Sequence, residues 1–173
     1  MNIREEILAV HSKPQALKIA AYACASKQNF KELMACYMAD EYRLSQRAAW
    51  SVSWAARKRP EMVKPWLKQI VSLLHKKNVH NSVIRNAVRV LEDIDIPKKL
   101  HGEVMNACFG FIESPTTAVA IKAFSLTTLA NLSKYYPEIR QELKLIIEEK
   151  WENETAAFRS RGRKILEQFV INN

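Results

Sequence analysis

The segment Val83–Leu91, with the sequence VIRNAVRVL, decides the fold. It places basic residues among small and aliphatic residues at the spacing of one helix face. Its Ile84-Arg85 pair has counterparts at Gln46-Arg47, Ile121-Lys122 and Phe158-Arg159, and the basic positions are 38, 37 and 37 residues apart. Repeats of this length are usually pairs of stacked helices, so the period predicts an α-solenoid.

Proline and glycine support the same fold class. Pro60, Pro97 and Pro137 are 37 and 40 residues apart, and proline is well tolerated in the first turn of a helix. Only three glycines occur, which disfavours a protein rich in β-hairpins. We predict an all-α protein, an α-α superhelix of stacked antiparallel helix pairs with about four to five repeats and roughly nine or ten helices.

The length of 173 residues predicts one domain over 1–173, with capping helices in 1–42 and regular repeats in 43–171. Within the first regular repeat we expect one helix from Pro60 to His75, with Trp66 in its buried stripe. We expect Ser82 to cap the helix that contains VIRNAVRVL.

The positive charge is concentrated in the middle of the chain. Residues 43–102 contain thirteen Lys and Arg against four Asp and Glu, while the segments before and after are balanced, so this part holds the whole net charge of +9. A segregated positive field attracts polyanions such as nucleic acids or acidic protein surfaces.

The cysteines, the apolar runs and the N-terminal residues indicate in which cellular compartment we expect the protein. Cys24, Cys36 and Cys108 lie in apolar helical patterns, which predicts buried, reduced thiols in a cytoplasmic protein. No run of 18 apolar residues occurs, and the N-terminus carries acids, so we expect neither a membrane span nor a secretion signal.

The openings of the second helices resemble those of HEAT repeats. They are Gln46–Ala49, Ile84–Ala87, Ile121–Phe124 and Phe158–Arg161, and the resemblance covers residues 30–171. Lys122 replaces arginine and Gly162 replaces alanine in this pattern. In HEAT proteins the second helices generally line a concave surface, so the resemblance implies a groove that binds a partner.

A narrower resemblance is to small HEAT-like DNA glycosylases of the alkylation-repair type. These are basic and use tryptophan with a carboxylate. The basic segment contains Trp50, Trp54 and Trp66 together with Asp93 and Asp95. No motif matches residue by residue, so no catalytic residue is assigned.

The candidate binding residues have two interpretations each. Stacking would align Arg47, Arg85, Lys122 and Arg159 as a ladder, with Arg89 and Arg163 one turn further along. Such a ladder would either follow a phosphate backbone or bond carbonyls and carboxylates of the neighbouring repeat.

Two tryptophans and a cluster of three acids can likewise be interpreted as either structural or functional residues. Trp50 and Trp54 share a helix side and would offer stacking platforms or pack between helices, and we expect one of them in the core. Glu92, Asp93 and Asp95 would pair with nearby cations or supply a catalytic carboxylate.

The sequence thus favours a non-catalytic scaffold that binds a protein or other macromolecular partner on a basic concave surface. The alternative is a DNA-binding HEAT-like protein, including an alkylation-repair glycosylase. We expect no cofactor, and no metal, because the histidines lack metal-site spacing.

Overall fold

The chain forms two compact all-α units. The computed structural model describes residues 1–171, and the units are Met1–Ile94 and Asp95–Asn173. Every regular element within residues 1–171 is helical. The prediction of an all-α fold is therefore confirmed.

Unit 1 is arranged around one long helix. The elements are α1 Ile3–Ala9, α2 Lys13–Ala23, α3 Lys27–Tyr37, α4 Tyr42–Lys58, α5 Pro60–Val63, a 3-10 turn Lys64–Trp66, α6 Leu67–Leu73 and α7 Asn81–Glu92. Helix α4 packs against α1, α2, α3 and α7. Ala48, Ala49 and Ala55 of α4 are wholly buried, and such short side chains let neighbouring helices approach closely.

A buried hydrogen bond joins α3 to α7 within unit 1. The Tyr37 hydroxyl at the end of α3 donates to the carbonyl of Val83 in α7 over 3.0 Å. Tyr37 is 1 % exposed, and burial raises its pKa far above the ordinary value. This polar group therefore depends on α7 for its partner.

The prediction of one helix over residues 60–75 was wrong. Pro65 lies in the 3-10 turn between α5 and α6. A proline inside a helix removes a hydrogen-bond donor and clashes with the preceding turn. Trp66 is half-buried rather than in the core, whereas Val63 and Leu67 are buried. With α5 and α6 taken as one bent rod, residues 1–171 contain ten helical rods.

The prediction that Ser82 caps α7 was also wrong. The cap is His80, whose Nδ1 accepts a hydrogen bond from the Ser82 amide at 3.0 Å. Asn78 has a positive φ of 59°, a conformation that asparagine tolerates better than most residues. The turn lets the helix begin at Asn81, so Ser82 is already its second residue.

Unit 2 is arranged around α9. It contains a 3-10 turn Lys98–Leu100 and then α8 His101–Glu113, α9 Val119–Leu132, α10 Ile139–Lys150 and α11 Ala156–Ile171. Helix α9 packs against α8, α10 and α11. Pro97 directly precedes the 3-10 turn that leads into α8, and Pro137 lies two residues before α10, close to the helix starts that the proline spacing predicts.

Gly162 explains one departure from the repeat pattern. It lies buried in α11, and a Cβ added to it would lie 2.8 Å from Cγ2 of Ile147 in α10. Glycine therefore allows α10 and α11 to pack more closely than alanine would.

We predict that Gly162→Ala lowers the free energy of unfolding by about 1–2 kcal/mol, because the clash with Ile147 exceeds the gain in helix propensity. The control is Gly110→Ala in α8, where no atom lies within 4 Å of the added Cβ. That substitution should raise the free energy of unfolding by about 0.5–1 kcal/mol. Urea unfolding followed by circular dichroism measures both, and equal stabilisation by the two variants would contradict the close packing.

Candidate binding surface

Helix α4 leaves one narrow stripe uncovered. From residue 47 to residue 57, every residue is buried except Arg47, Trp50, Trp54 and Arg57. Their spacing of three, four and three residues places them on one side of the helix. The four helices packed around α4 therefore confine its large polar and aromatic side chains to that side.

Helix α7 leaves a matching stripe. From Val83 to Glu92, every residue is buried except Arg85 and Arg89. These arginines are one helical turn apart and share a face. Because α4 and α7 pack together, the two stripes adjoin. We call the combined area, with Lys13 of α2, the Trp54 surface; it comprises Lys13, Arg47, Trp50, Trp54, Arg57, Arg85 and Arg89.

Three cations surround the Trp54 ring. The guanidinium carbon of Arg89 lies 5.3 Å from the ring centroid, Nζ of Lys13 lies 5.6 Å from it, and the guanidinium carbon of Arg57 lies 5.9 Å from it. Each is within the range of a cation–π interaction, about 0.5–1 kcal/mol at exposed sites and more when desolvated. Burial, and then repulsion from Arg57, lower the pKa of Arg89. The interactions hold the indole in a fixed, positively charged setting.

The nearby acids are paired. Nε of Arg57 lies 2.5 Å from Oδ2 of Asp93, and its Nη2 lies 3.7 Å from Oε1 of Glu92. The Glu92 side chain is only 5 % exposed. Asp95 belongs to unit 2, where it accepts a hydrogen bond from the Tyr135 hydroxyl over 3.1 Å. Arg57 thus provides the pairing expected for two acids of the cluster.

Arg47 and the tryptophans connect this surface to the preceding helices. Nη1 of Arg47 donates to the carbonyl of Leu8, 2.6 Å away, near the end of α1. The Trp50 ring lies 5.6 Å from the His11 ring. Trp50 and Trp54 are both half-buried, so the expectation that one belongs to the core was wrong. The uncovered stripe of α4 holds both at the protein surface.

The other predicted residues lie in unit 2. Lys122 of α9 is 5 % exposed and its ammonium forms an ion pair with the Glu154 carboxylate. Nη1 of Arg159 donates to the Glu154 carbonyl over 3.0 Å. Arg163 is exposed on α11. Lys122 and Arg159 therefore both bond Glu154, in the turn before α11, whereas Arg47 bonds the end of α1.

The positive charge belongs almost wholly to unit 1. Residues 1–94 contain sixteen Lys and Arg against eight Asp and Glu, a net charge of +8. Residues 95–173 contain eleven against ten, a net charge of +1. The Trp54 surface lies in the unit with the stronger positive field.

Sequence reasoning missed Lys13, and it left Arg57 out of the candidate binding residues although Arg57 lies on the helix side of Trp50 and Trp54. The spacing of Arg57 from Trp54 was available in the sequence. Lys13 comes from another helix 41 residues before Trp54, and no sequence pattern relates the two.

The structure also shows where the thiols and the possible metal ligands lie. Cys24, Cys36 and Cys108 are free and buried, and burial raises the pKa of each thiol, to about 12 for Cys108. Among residues 1–171, no three His, Cys, Asp or Glu side chains are grouped to hold a metal ion. In the same residues, no helix combines the length and apolarity needed to cross a bilayer.

The paired helices and the periodic sequence define a helical-repeat scaffold. A family model described as a HEAT repeat domain matches residues 3–169, nearly the whole chain. The chain belongs to the HEAT-repeat family. No curated protein and no solved structure matches it. The family match does not extend to alkylation repair.

The Lys122–Glu154 pair gives a test of the structural role in unit 2. We predict that Lys122→Met lowers the free energy of unfolding by about 3–5 kcal/mol, because it leaves a largely buried carboxylate without its cation. Adding Glu154→Gln to this variant should recover much of the loss.

The matched control is Lys144→Met, which removes the lysine of the exposed pair with Glu148 at 3.8 Å. That change should alter stability by less than about 0.5 kcal/mol. Thermal and urea unfolding give both values. Equal effects of the two lysine substitutions would contradict a structural role for Lys122.

Proposed function

We propose that the protein is a non-catalytic scaffold that binds an acidic protein partner through the Trp54 surface. The observation that carries the proposal is a half-buried tryptophan with three cations around its ring, on the unit with a net charge of +8. Tryptophan and arginine are the residues most enriched among those that dominate binding energy at protein interfaces.

The geometry favours binding for two physical reasons. Trp54 is already held by Lys13, Arg57 and Arg89, so little side-chain entropy would be lost when a partner contacts it. Arg85 is exposed on the same face of α7 as Arg89. Exposed charges steer an oppositely charged partner towards the surface.

A non-catalytic role is supported by the state of the reactive groups. Asp93 and Glu92 lie within ion-pair distance of Arg57, which holds them in a structural network. Burial raises the pKa of the three thiols, which disfavours the nucleophilic thiolate.

Nucleic acid is the second candidate partner. The Trp54 surface combines indole rings with arginines, the combination that binds bases by stacking and phosphates by charge. An alkylation-repair activity would additionally require a carboxylate beside the tryptophans, and Glu92 and Asp93 lie within ion-pair distance of Arg57. We propose that Lys122 and Arg159 act within unit 2, and that Arg163, although exposed, takes no part in the Trp54 surface.

The test uses a fluorescent poly-glutamate peptide and a DNA oligonucleotide, with anisotropy measured at about 50 and 150 mM salt. We predict that the peptide binds, that Trp54→Ala weakens its binding at least about tenfold, and that Arg85→Glu weakens it several-fold. Arg163→Glu, an exposed charge reversal in unit 2, should leave it unchanged if the surface is confined to unit 1.

If DNA binds more tightly than the peptide, and its affinity falls steeply between the two salt concentrations, the partner is nucleic acid rather than an acidic protein. Binding of neither probe, or equal effects of Arg85→Glu and Arg163→Glu, would contradict the Trp54 surface. Thermal unfolding of each variant checks that the fold is retained.

A further inference from the structure

A separate cavity lies in unit 1 between the start of α3 and the bent rod of α5 and α6. Its volume is about 410 Å³, within the size range of small-molecule sites. Its wall includes Cys24 at the end of α2 and Arg59 at the end of α4. None of the residues of the Trp54 surface lines it.

One wall of the cavity is apolar. Phe30, Met62, Pro65 and Trp66 line it. Met62 and Trp66 are four residues apart and half-buried, whereas Val63 and Leu67, next to them, are buried. Trp66, at the end of the 3-10 turn that contains Pro65, therefore lines this space and is not part of the core. An aromatic side chain on a cavity wall provides a flat apolar contact for a ligand.

The rim of the cavity is cationic. Lys27, Lys31 and Arg59 line it together with one acid, Glu61, which forms an ion pair with Arg59. Neither lysine forms an ion pair with another residue in the described range 1–171. Three cations and one anion leave the rim with a net charge of +2.

The lysines are placed where a helix disfavours them. Lys27 is the first residue of α3, and the first turn of this helix contains no acid. The positive end of the helix dipole favours anions there. Lys27 and Lys31 are also four residues apart, a spacing at which like charges repel. A bound anion would offset both effects.

We propose that this cavity binds a small-molecule carboxylate whose apolar part is aromatic or branched. The apolar part would lie against Trp66 and Met62, and the carboxylate would lie at Lys27 and Lys31. The size of the cavity, its aromatic wall and its uncompensated cations together select this chemistry.

The experiment titrates the intact chain with 2-naphthoate by isothermal calorimetry, with the uncharged 2-naphthamide as the matched ligand. Naphthoate should bind at least about tenfold more tightly than the amide, since charged contacts discriminate strongly. The double variant Lys27→Gln, Lys31→Gln should lose this preference. Lys68→Gln removes an exposed lysine of α6 that does not line the cavity, and should keep it.

Three results of this calorimetric experiment would overturn the proposal. They are no naphthoate binding at millimolar concentration, equal binding of acid and amide, or unchanged binding in the double variant. Tighter binding of a peptide with a C-terminal phenylalanine carboxylate than of naphthoate would also overturn it, in favour of a peptide terminus. The double variant should bind poly-glutamate at the Trp54 surface as the unmodified chain does, which separates this test from the proposed function.

Discussion

The burial of α4 on all sides but one is the constraint on which unit 1 depends. Short side chains such as Ala48, Ala49 and Ala55 allow α1, α2, α3 and α7 to pack around it. Large polar and aromatic residues are then tolerated only on the remaining stripe. The position of the Trp54 surface thus follows from the packing of the core, and its charge follows from the arginines of α4 and α7 that border the uncovered side.

The repeat pattern predicted the helices well because apolar periodicity and proline placement are local signals. It placed VIRNAVRVL in a helix, and in the structure the two arginines are the residues of this segment that are not buried. It failed at Pro65 and at Ser82, where a bend and a cap depend on the geometry of a single turn. The periodicity of apolar residues carries no information about either.

The candidate site was harder to predict than the fold. Arg85 and Lys122 occupy the same position in successive repeats, yet Arg85 is exposed and Lys122 is buried. The difference comes from Glu154, which lies 32 residues beyond Lys122 and pairs with it. Equivalence in a repeat therefore predicts the location on a helix but not the partner, since partners come from turns that do not repeat. The concave groove implied by the family resemblance stays a prediction.

The hydrogen bond between Tyr37 and Val83 has a consequence for biosynthesis. Its two residues are 46 positions apart, so a nascent chain that lacks α7 could bury the phenol only by leaving it without its acceptor. An unsatisfied buried polar group costs about 1–3 kcal/mol. In repeat proteins, folding can begin in any repeat and spread to its neighbours. In this chain the first 94 residues would instead become stable together, once α7 has been synthesised.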